Sequence, residues 1–240
     1  MAENQEFVIQ LQKQFPISVI DKLEIVDSTA MVVIDEVEGF CLPGAGNLAP
    51  HGADPMIENM ITKTDQLART YIDHNGKVIL LRDVHDPERP EEPFSTHCLA
   101  GTKEIEIVPQ LKWLLDHQAN GHCELVDKKC INGFISDPGF PFHLKLLNVE
   151  TLVVVGICTD ICVMQFVQSA LSARNCGFLG KLKNIVVCTD ACATYDLPME
   201  TVKELGLESH KVHPQEYMHH MGLFLMQQCG TILAKDIVIK

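Results

Sequence analysis

Short apolar runs recur along the chain and predict the strands of a buried sheet. The clearest run covers residues 151–155, which are mostly β-branched and stop at Gly156, as expected for a strand covered on both faces. Similar runs predict strands at residues 31–34, 77–81, 124–127 and 184–188, and a last apolar run covers 231–239.

Between these runs, apolar positions at intervals of three and four residues predict helices. After the strand at 151–155 this pattern covers residues 161–173, with Thr159 and Asp160 placed to cap the helix. Further helices are predicted at 56–72, within 103–117, at 140–147, at 202–207 and at 217–228. Strands and helices alternate at least five times, which is typical of a doubly wound α/β fold, with a parallel sheet and helices on both faces.

The chain has 240 residues and no break in composition, so we expect one domain, 1–240. Residues 1–28 mix charged and apolar positions and predict an N-terminal covering segment with a short helix and a covering strand. Residues 200–240 are expected to form a C-terminal extension of helix and strand.

A net charge of −13 argues against nucleic acid or an anionic membrane as a partner, so a small-molecule ligand is favoured. The sequence shows no N-terminal hydrophobic signal region and no apolar run of about eighteen residues. We therefore expect a cytoplasmic protein, with the nucleus as an alternative. The number of subunits stays open, a homo-oligomer included.

Ten cysteines without a secretory signal predict reduced thiols rather than disulfides. Six of them are interpreted as inert core residues: Cys41, Cys123, Cys176, Cys188, Cys192 and Cys229. Trp113 is assigned to packing. His210, His213, His219 and His220 are assigned to a surface helix, without a metal site.

Four chemically active residues follow predicted strands. Asp35, Asp83, Lys128 and Cys162 each come just after one. Each has an ordinary explanation by itself, as a solvated acid, an exposed lysine or a buried thiol. Because the carboxyl ends of parallel strands meet at one edge of the sheet, we expect all four in a single crevice. Cys162 would lie in the first turn of a helix, where the helix dipole favours a thiolate over a thiol.

Asp83 also begins a pattern of metal ligands. Asp83-x-His85 places a carboxylate near an imidazole, and His97 follows after a loop rich in Pro and Glu. Two imidazoles and a carboxylate suit zinc, iron or manganese, although ordinary loop residues can also fall into this spacing.

Residues 31–195 carry four motifs in a specific order. They are Val33-Ile34-Asp35 with Phe40, Asp83-Val84-His85 with His97-Cys98-Leu99-Ala100-Gly101-Thr102, Val126-Asp127-Lys128 with Phe134, and Gly156-Ile157-Cys158-Thr159-Asp160-Ile161-Cys162-Val163. On these motifs the chain resembles the isochorismatase-like cysteine hydrolases, and within them the nicotinamidases, most closely those of plants. One departure is Val37, where the family often has glutamine.

The resemblance implies a catalytic triad of Asp35, Lys128 and Cys162. Cys162 would attack a carboxamide carbon and form a thioester, Asp35 would carry the proton, and Lys128 would hold both groups ready. The implied oxyanion hole consists of the backbone N–H groups of Cys158 and Cys162, beside a cis peptide bond between Ile157 and Cys158.

The resemblance also implies a divalent metal ion that holds the pyridine nitrogen of nicotinamide. Its ligands would be Asp83, His85 and His97, with Glu91 favoured over Glu92 as a fourth and water as the alternative. Zinc is the first choice, with iron or manganese as alternatives. Four residues are expected to contact the substrate: Phe40, Phe94, Ile157 and Cys158.

Two other classes of function stay open at this point. One is a metal-free enzyme that acts on isochorismate or on a carbamoyl compound. The other is a binding protein that keeps the fold, for which an intact Asp35, Lys128 and Cys162 would be a coincidence.

Overall fold

Seven parallel strands form the centre of the computed structural model, which describes residues 2–240. The strand order across the sheet is β1-β7-β6-β5-β2-β3-β4. The strands are β1 Val19–Ile25, β2 Thr29–Ile34, β3 Lys77–Asp83, β4 Cys123–Lys128, β5 Thr151–Ile157, β6 Asn184–Ala193 and β7 Ile232–Ile239. The predicted parallel α/β sheet is confirmed.

Helices cover both faces of this sheet, as the alternation of strands and helices predicted. They are α1 Ala2–Gln14, α2 Glu38–Cys41, α3 Pro55–Asp73, α4 Phe140–Leu147, α5 Met164–Asn175, α6 Met199–Glu204 and α7 Gln215–Gln228. Short 3-10 helices cover Lys103–Ile105, Pro109–His117 and Ser209–Lys211, and a π-helical turn covers Thr159–Val163. We call this last element the π-turn.

The alternation of side chains along the strands explains the two layers of helices. Val33 and Val155 point to the side of α3, and Val32 and Val154 point to the side of α4, α5 and α7. Because β2 and β5 are covered on both faces, they contain almost only apolar residues. This is the pattern that made them visible in the sequence.

Gly156 fixes how closely β2 and β5 approach. It has a φ of +119°, and a Cβ at this position would overlap the backbone carbonyl of Ile34. Only glycine fits both the dihedral angle and the space. The two strands therefore end side by side, and the residues that follow them meet at one edge of the sheet.

Several elements differ from the sequence prediction in extent. The strand predicted at 184–188 continues to Ala193, and the helix predicted within 103–117 consists of two 3-10 helices. The strand predicted near the N-terminus is β1, which lies at the sheet edge and pairs in parallel with β7. Within residues 2–240, no helix combines the length and the apolar character needed to cross a membrane.

Candidate active site

Three charged residues lie together at the carboxyl ends of neighbouring strands. Asp35 directly follows β2, Asp83 ends β3 and Lys128 ends β4. Asp83 pairs with Lys128 in the register of the sheet, and the Asp35 N–H donates to the Leu81 carbonyl at 2.9 Å. All three charged side chains are almost completely buried. Parallel strand direction thus brings them together, as expected.

Lys128 lies between the two carboxylates. Its Nζ is 2.8 Å from Oδ1 of Asp83 and 3.0 Å from Oδ2 of Asp35, and it also donates to the Cys130 carbonyl at 3.2 Å. Burial by itself would lower the pKa of Lys128, but the negative charges of Asp35 and Asp83 outweigh burial and hold it well above its ordinary value. Lys128 is therefore a permanent ammonium inside the protein.

The two carboxylates have pKa values that lie far apart. Burial raises the pKa of Asp35 to about 6, against the opposing effect of Lys128 and with a further increase from Asp83. Burial would also raise the pKa of Asp83, but Lys128 and hydrogen bonds from His85 and His97 hold it below its ordinary range. Asp83 thus remains a carboxylate, whereas Asp35 can exchange a proton near neutral pH.

Cys162 lies in the π-turn between β5 and α5 and lines the same crevice as Lys128. Burial raises the pKa of the Cys162 thiol well above its ordinary value, although Lys128 acts in the opposite direction. The thiol therefore keeps its proton at rest. This differs from the thiolate that we expected from a helix N-terminus, because desolvation by the surrounding protein outweighs the helix dipole.

The backbone before Cys162 has an unusual course. The peptide bond between Ile157 and Cys158 is cis, as the resemblance implied. The Cys158 carbonyl accepts hydrogen bonds from the N–H groups of Ile161 and Val163, each at 3.1 Å. These bonds lie on either side of Cys162 and do not use its N–H group. Cys158 and Cys162 both line the crevice.

Beside Lys128, four side chains converge on one point. One potential ligand atom from each of Asp83, His85, Glu91 and His97 lies within 4.8 Å of the others. Oδ2 of Asp83 is 2.8 Å from Nε2 of His85 and 3.0 Å from Nε2 of His97. Oε2 of Glu91 is 3.6 Å and 3.8 Å from the same two nitrogens.

These distances fit a tetrahedral divalent ion. Ligands about 2.1 Å from zinc lie roughly 3.4 Å from one another. The residues are also held by further bonds: Nδ1 of His97 lies 2.7 Å from the Ser95 carbonyl, and Oε1 of Glu91 accepts the Ile131 N–H at 2.7 Å. Such supporting bonds are typical of metal ligands, because they fix the side chain and leave the second atom free. Glu91, not Glu92, belongs to this group.

A cavity of about 370 Å³ opens above these residues. The four residues that we expected to contact a substrate line it: Phe40, Phe94, Ile157 and Cys158. The rings of Phe40 and Phe94 lie 5.5 Å and 6.2 Å from the His97 ring, between centroids. The cavity wall is therefore aromatic next to the four potential metal ligands and charged next to Lys128.

Part of the crevice wall consists of residues that no sequence motif marks. Ile131 and Tyr195 line the cavity, and neither was singled out. Val37, the departure from the family pattern, is buried and forms a backbone bridge with Ile107. No local pattern marks these positions, because loops from distant parts of the chain bring them together.

Two groups of assignments from the sequence are wrong. His213 and His220 are buried, not on a surface helix, because α7 and the loop before it pack against the π-turn and α1. Cys176 and Cys229 are exposed, not core residues, because each follows the last turn of a helix at the surface. All ten cysteines are free thiols, as predicted.

Known proteins with similar sequences belong to the family that the four sequence motifs indicated. Residues 29–232 match the isochorismatase domain. The chain is 40% identical to Nicotinamidase 1 of Arabidopsis thaliana over 245 residues, which covers 99% of this chain and 98% of that protein. It is 28% identical to a nicotinamidase of Acinetobacter baylyi, over 71% of this chain and 84% of that protein.

Solved structures show the same fold at low identity. A nicotinamidase/pyrazinamidase of Bacillus subtilis superimposes with a TM-score of 0.65 at 20% identity, over 86% of this chain and 99% of its own. PnC1 of L. infantum, in complex with nicotinate, gives a TM-score of 0.64 at 17% identity, over 91% and 100% of the two chains. On the domain match and the identity to the Arabidopsis protein, the chain belongs to the isochorismatase family.

Proposed function

We propose that this chain is a nicotinamidase, which hydrolyses nicotinamide to nicotinate and ammonia and so feeds the resynthesis of NAD. One observation supports this most directly. Lys128, which pairs with Asp35 at 3.0 Å, lines the same crevice as Cys162, and the next wall of this crevice carries four potential metal ligands. The identity of 40% to the Arabidopsis nicotinamidase over 99% of the chain supports the same activity.

In the first half of the reaction, Cys162 becomes acylated. Its thiol gives its proton to the Asp35 carboxylate, and the sulfur attacks the carboxamide carbon. The oxygen of the tetrahedral intermediate receives hydrogen bonds from the N–H groups of Cys158 and Cys162. Asp35 then returns the proton to the amide nitrogen, the C–N bond breaks, and ammonia leaves a thioester on Cys162.

In the second half, water releases the acid. Asp35 is a carboxylate again and takes a proton from a water molecule as the water oxygen attacks the thioester. The tetrahedral intermediate collapses, the C–S bond breaks, and the proton on Asp35 returns to the sulfur. Lys128 keeps its charge throughout and offsets the negative charge that moves between Asp35 and Cys162.

The residues that would hold the metal ion are Asp83, His85, His97 and Glu91. Two nitrogen and two oxygen ligands suit zinc first, with iron or manganese as alternatives. When bound, the ion would supply a Lewis acid that fixes the pyridine nitrogen. Phe40 and Phe94 would hold the ring by stacking, so the carboxamide faces Cys162.

The metal-free alternatives are less well supported. An enzyme for isochorismate or for a carbamoyl compound would leave the converging group of Asp83, His85, Glu91 and His97 without a role. We place the reaction in the cytoplasm, with the nucleus as an alternative, because ten free thiols suit a reducing compartment.

Ammonia release from purified, zinc-loaded protein tests the proposal. We expect turnover of nicotinamide and much slower turnover of benzamide, since benzamide lacks the ring nitrogen. Cys162→Ala should reduce the rate by at least about 10⁴-fold. Cys176→Ala, at an exposed thiol, is the matched control and should behave like the parent.

Removal of the metal with a chelator provides a second test of the proposed function. It should abolish nicotinamide turnover, and added zinc should restore it. If zinc-loaded parent protein released no ammonia from nicotinamide, or if Cys162→Ala kept the parental rate, the proposed function would be wrong.

A further inference from the structure

The C-terminal part of the chain packs directly against the π-turn. At Gly222 of α7, a Cβ would lie 2.8 Å from Cα and 2.9 Å from the backbone nitrogen of Asp160. The backbones of α7 and the π-turn are therefore in contact, with no side chain between them. This contact places two histidines against residues that precede Cys162.

The first histidine binds Asp160. Nε2 of His213 lies 2.8 Å from Oδ2 of Asp160, and the Thr194 hydroxyl donates to Oδ1 at 2.6 Å. Burial by itself would raise the pKa of Asp160, but His213 and Thr194 hold it below its ordinary value. Asp160 is thus a buried carboxylate with a hydrogen bond on each oxygen, two positions before Cys162.

His213 also contacts the wall of the crevice. Its Nδ1 lies 2.9 Å from the Tyr195 carbonyl, and its ring stacks on the Tyr195 ring at 3.8 Å between centroids, tilted by 12°. Reciprocal backbone hydrogen bonds to Leu197, each 2.8 Å long, hold His213 in place. One side chain therefore connects the π-turn, the crevice wall and the C-terminal segment.

The second histidine supports the neighbouring position. Nδ1 of His219 lies 2.8 Å from Oγ1 of Thr159, and the Thr159 hydroxyl donates to the Ala193 carbonyl at 3.0 Å. Since the hydroxyl proton is used there, Thr159 accepts the His219 hydrogen bond. Burial lowers the pKa of His219 to about 4, so the ring is neutral and carries its proton on Nδ1.

We propose that His213 is a positioning residue that acts through Asp160 to hold Cys162 and its N–H group in the orientation required for attack. The inference rests on the proposed function and adds to it a residue outside the four motifs. Without His213, Asp160 would be buried with a missing partner and the π-turn would rearrange to reach another one. The Cys162 sulfur would then move relative to Asp35. The Cys162 N–H group would also move relative to the oxyanion of the tetrahedral intermediate.

The test compares His213→Ala with His220→Ala. His220 is a matched control, because it is a buried histidine of α7 whose Nε2 bonds the Phe15 carbonyl at 2.8 Å, away from the π-turn. Four quantities are measured for each variant: kcat and KM with nicotinamide, the thermal midpoint, and the rate of alkylation of Cys162 by iodoacetamide, followed by peptide mass spectrometry.

For His213→Ala we expect kcat to fall by about 10²-fold, as misplacement of a reacting group by about 1 Å can do, and KM to change by less than about threefold. Alkylation of Cys162 should slow, because Asp35 no longer receives the thiol proton efficiently. His213→Gln keeps a donor for Asp160 and should recover at least about tenfold of the lost kcat. His220→Ala should lower the thermal midpoint but keep kcat within about twofold.

The inference is overturned if His213→Ala keeps the parental kcat, or if His220→Ala loses as much. If His213→Ala does not fold, Asp160→Asn provides the test, since it keeps the shape and removes the charge; an unchanged kcat there also overturns the inference. If the parent itself releases no ammonia, the proposed function fails, but the alkylation rate of Cys162 still decides whether His213 positions the thiol.

Discussion

Asp35 and Glu36 are consecutive buried acids that belong to opposite sides of the sheet. On the crevice side, Asp35 pairs with Lys128 at 3.0 Å, and its pKa is about 6. On the α3 side, Glu36 accepts one hydrogen bond, from the Thr64 hydroxyl at 2.6 Å. Burial raises the pKa of Glu36 to about 8, and its Oε2 has no hydrogen-bond partner within residues 2–240.

This difference shows what separates a reactive acid from a merely buried one. Both side chains are removed from water to the same degree. Only Asp35 has a cation beside it, which lowers the cost of its negative charge and makes proton exchange useful near neutral pH. Glu36 is protonated near neutral pH. A buried acid therefore indicates a catalytic site only together with its partners.

Removal of the cation should have the largest effect. In Lys128→Met, Asp35 and Asp83 would share the crevice without a positive charge, so we expect at least about 10³-fold lower kcat/KM. The free energy of unfolding should fall by about 3–5 kcal/mol, as is usual when one partner of a buried ion pair is lost. Lys129→Met, at the exposed neighbour, is the control for both measurements. Parental activity in Lys128→Met would show that Lys128 is not needed.

The pH dependence of activity should follow Asp35 and not Glu36. Asp35 must be ionised to accept the thiol proton, and its pKa is about 6. We expect log kcat/KM for nicotinamide to fall by one unit per pH unit below about pH 6, measured with saturating zinc. In Glu36→Gln this acid limb should be unchanged. An acid limb near pH 4 would mean that the pKa of Asp35 is not raised in the crevice.

Glu36 should instead affect stability, by a smaller amount. Its pKa is raised from 4.5 to about 8 in the folded protein. Between these values the folded state keeps a proton that the unfolded state releases, so stability falls as pH rises through this window. We expect the thermal midpoint of Glu36→Gln to exceed that of the parent by a few degrees at pH 8, and by little below pH 4.5. A difference that does not change with pH would contradict this account.

The sheet, and the edge of the sheet at which the crevice lies, could both be predicted from the sequence. Strands such as β2 and β5 are buried on both faces, so their apolar runs stand out locally. The parallel order then places the residues after them at one edge, which is how Asp35, Asp83 and Lys128 were expected together. The fold and the family are confirmed. The roles assigned to the individual residues remain predictions.

Long-range packing could not be predicted from local patterns. Asp160 and His213 are 53 positions apart and meet only because α7 packs on the π-turn. The histidines near α7 had the spacing of an ordinary amphipathic helix, so their burial left no mark in the sequence. The protonation of Cys162 also differs from the prediction, because burial, which no local pattern shows, raises the pKa of its thiol.

The exposed thiols Cys176 and Cys229 follow helices α5 and α7 and precede strands β6 and β7. Because all seven strands run in one direction, the segments that enter strands lie at the rim opposite the crevice. A maleimide-coated electrode or bead that reacts with these two thiols would therefore hold the enzyme with the crevice facing the solution. Both anchoring points come with the natural chain, and no engineered tag is needed for oriented immobilisation.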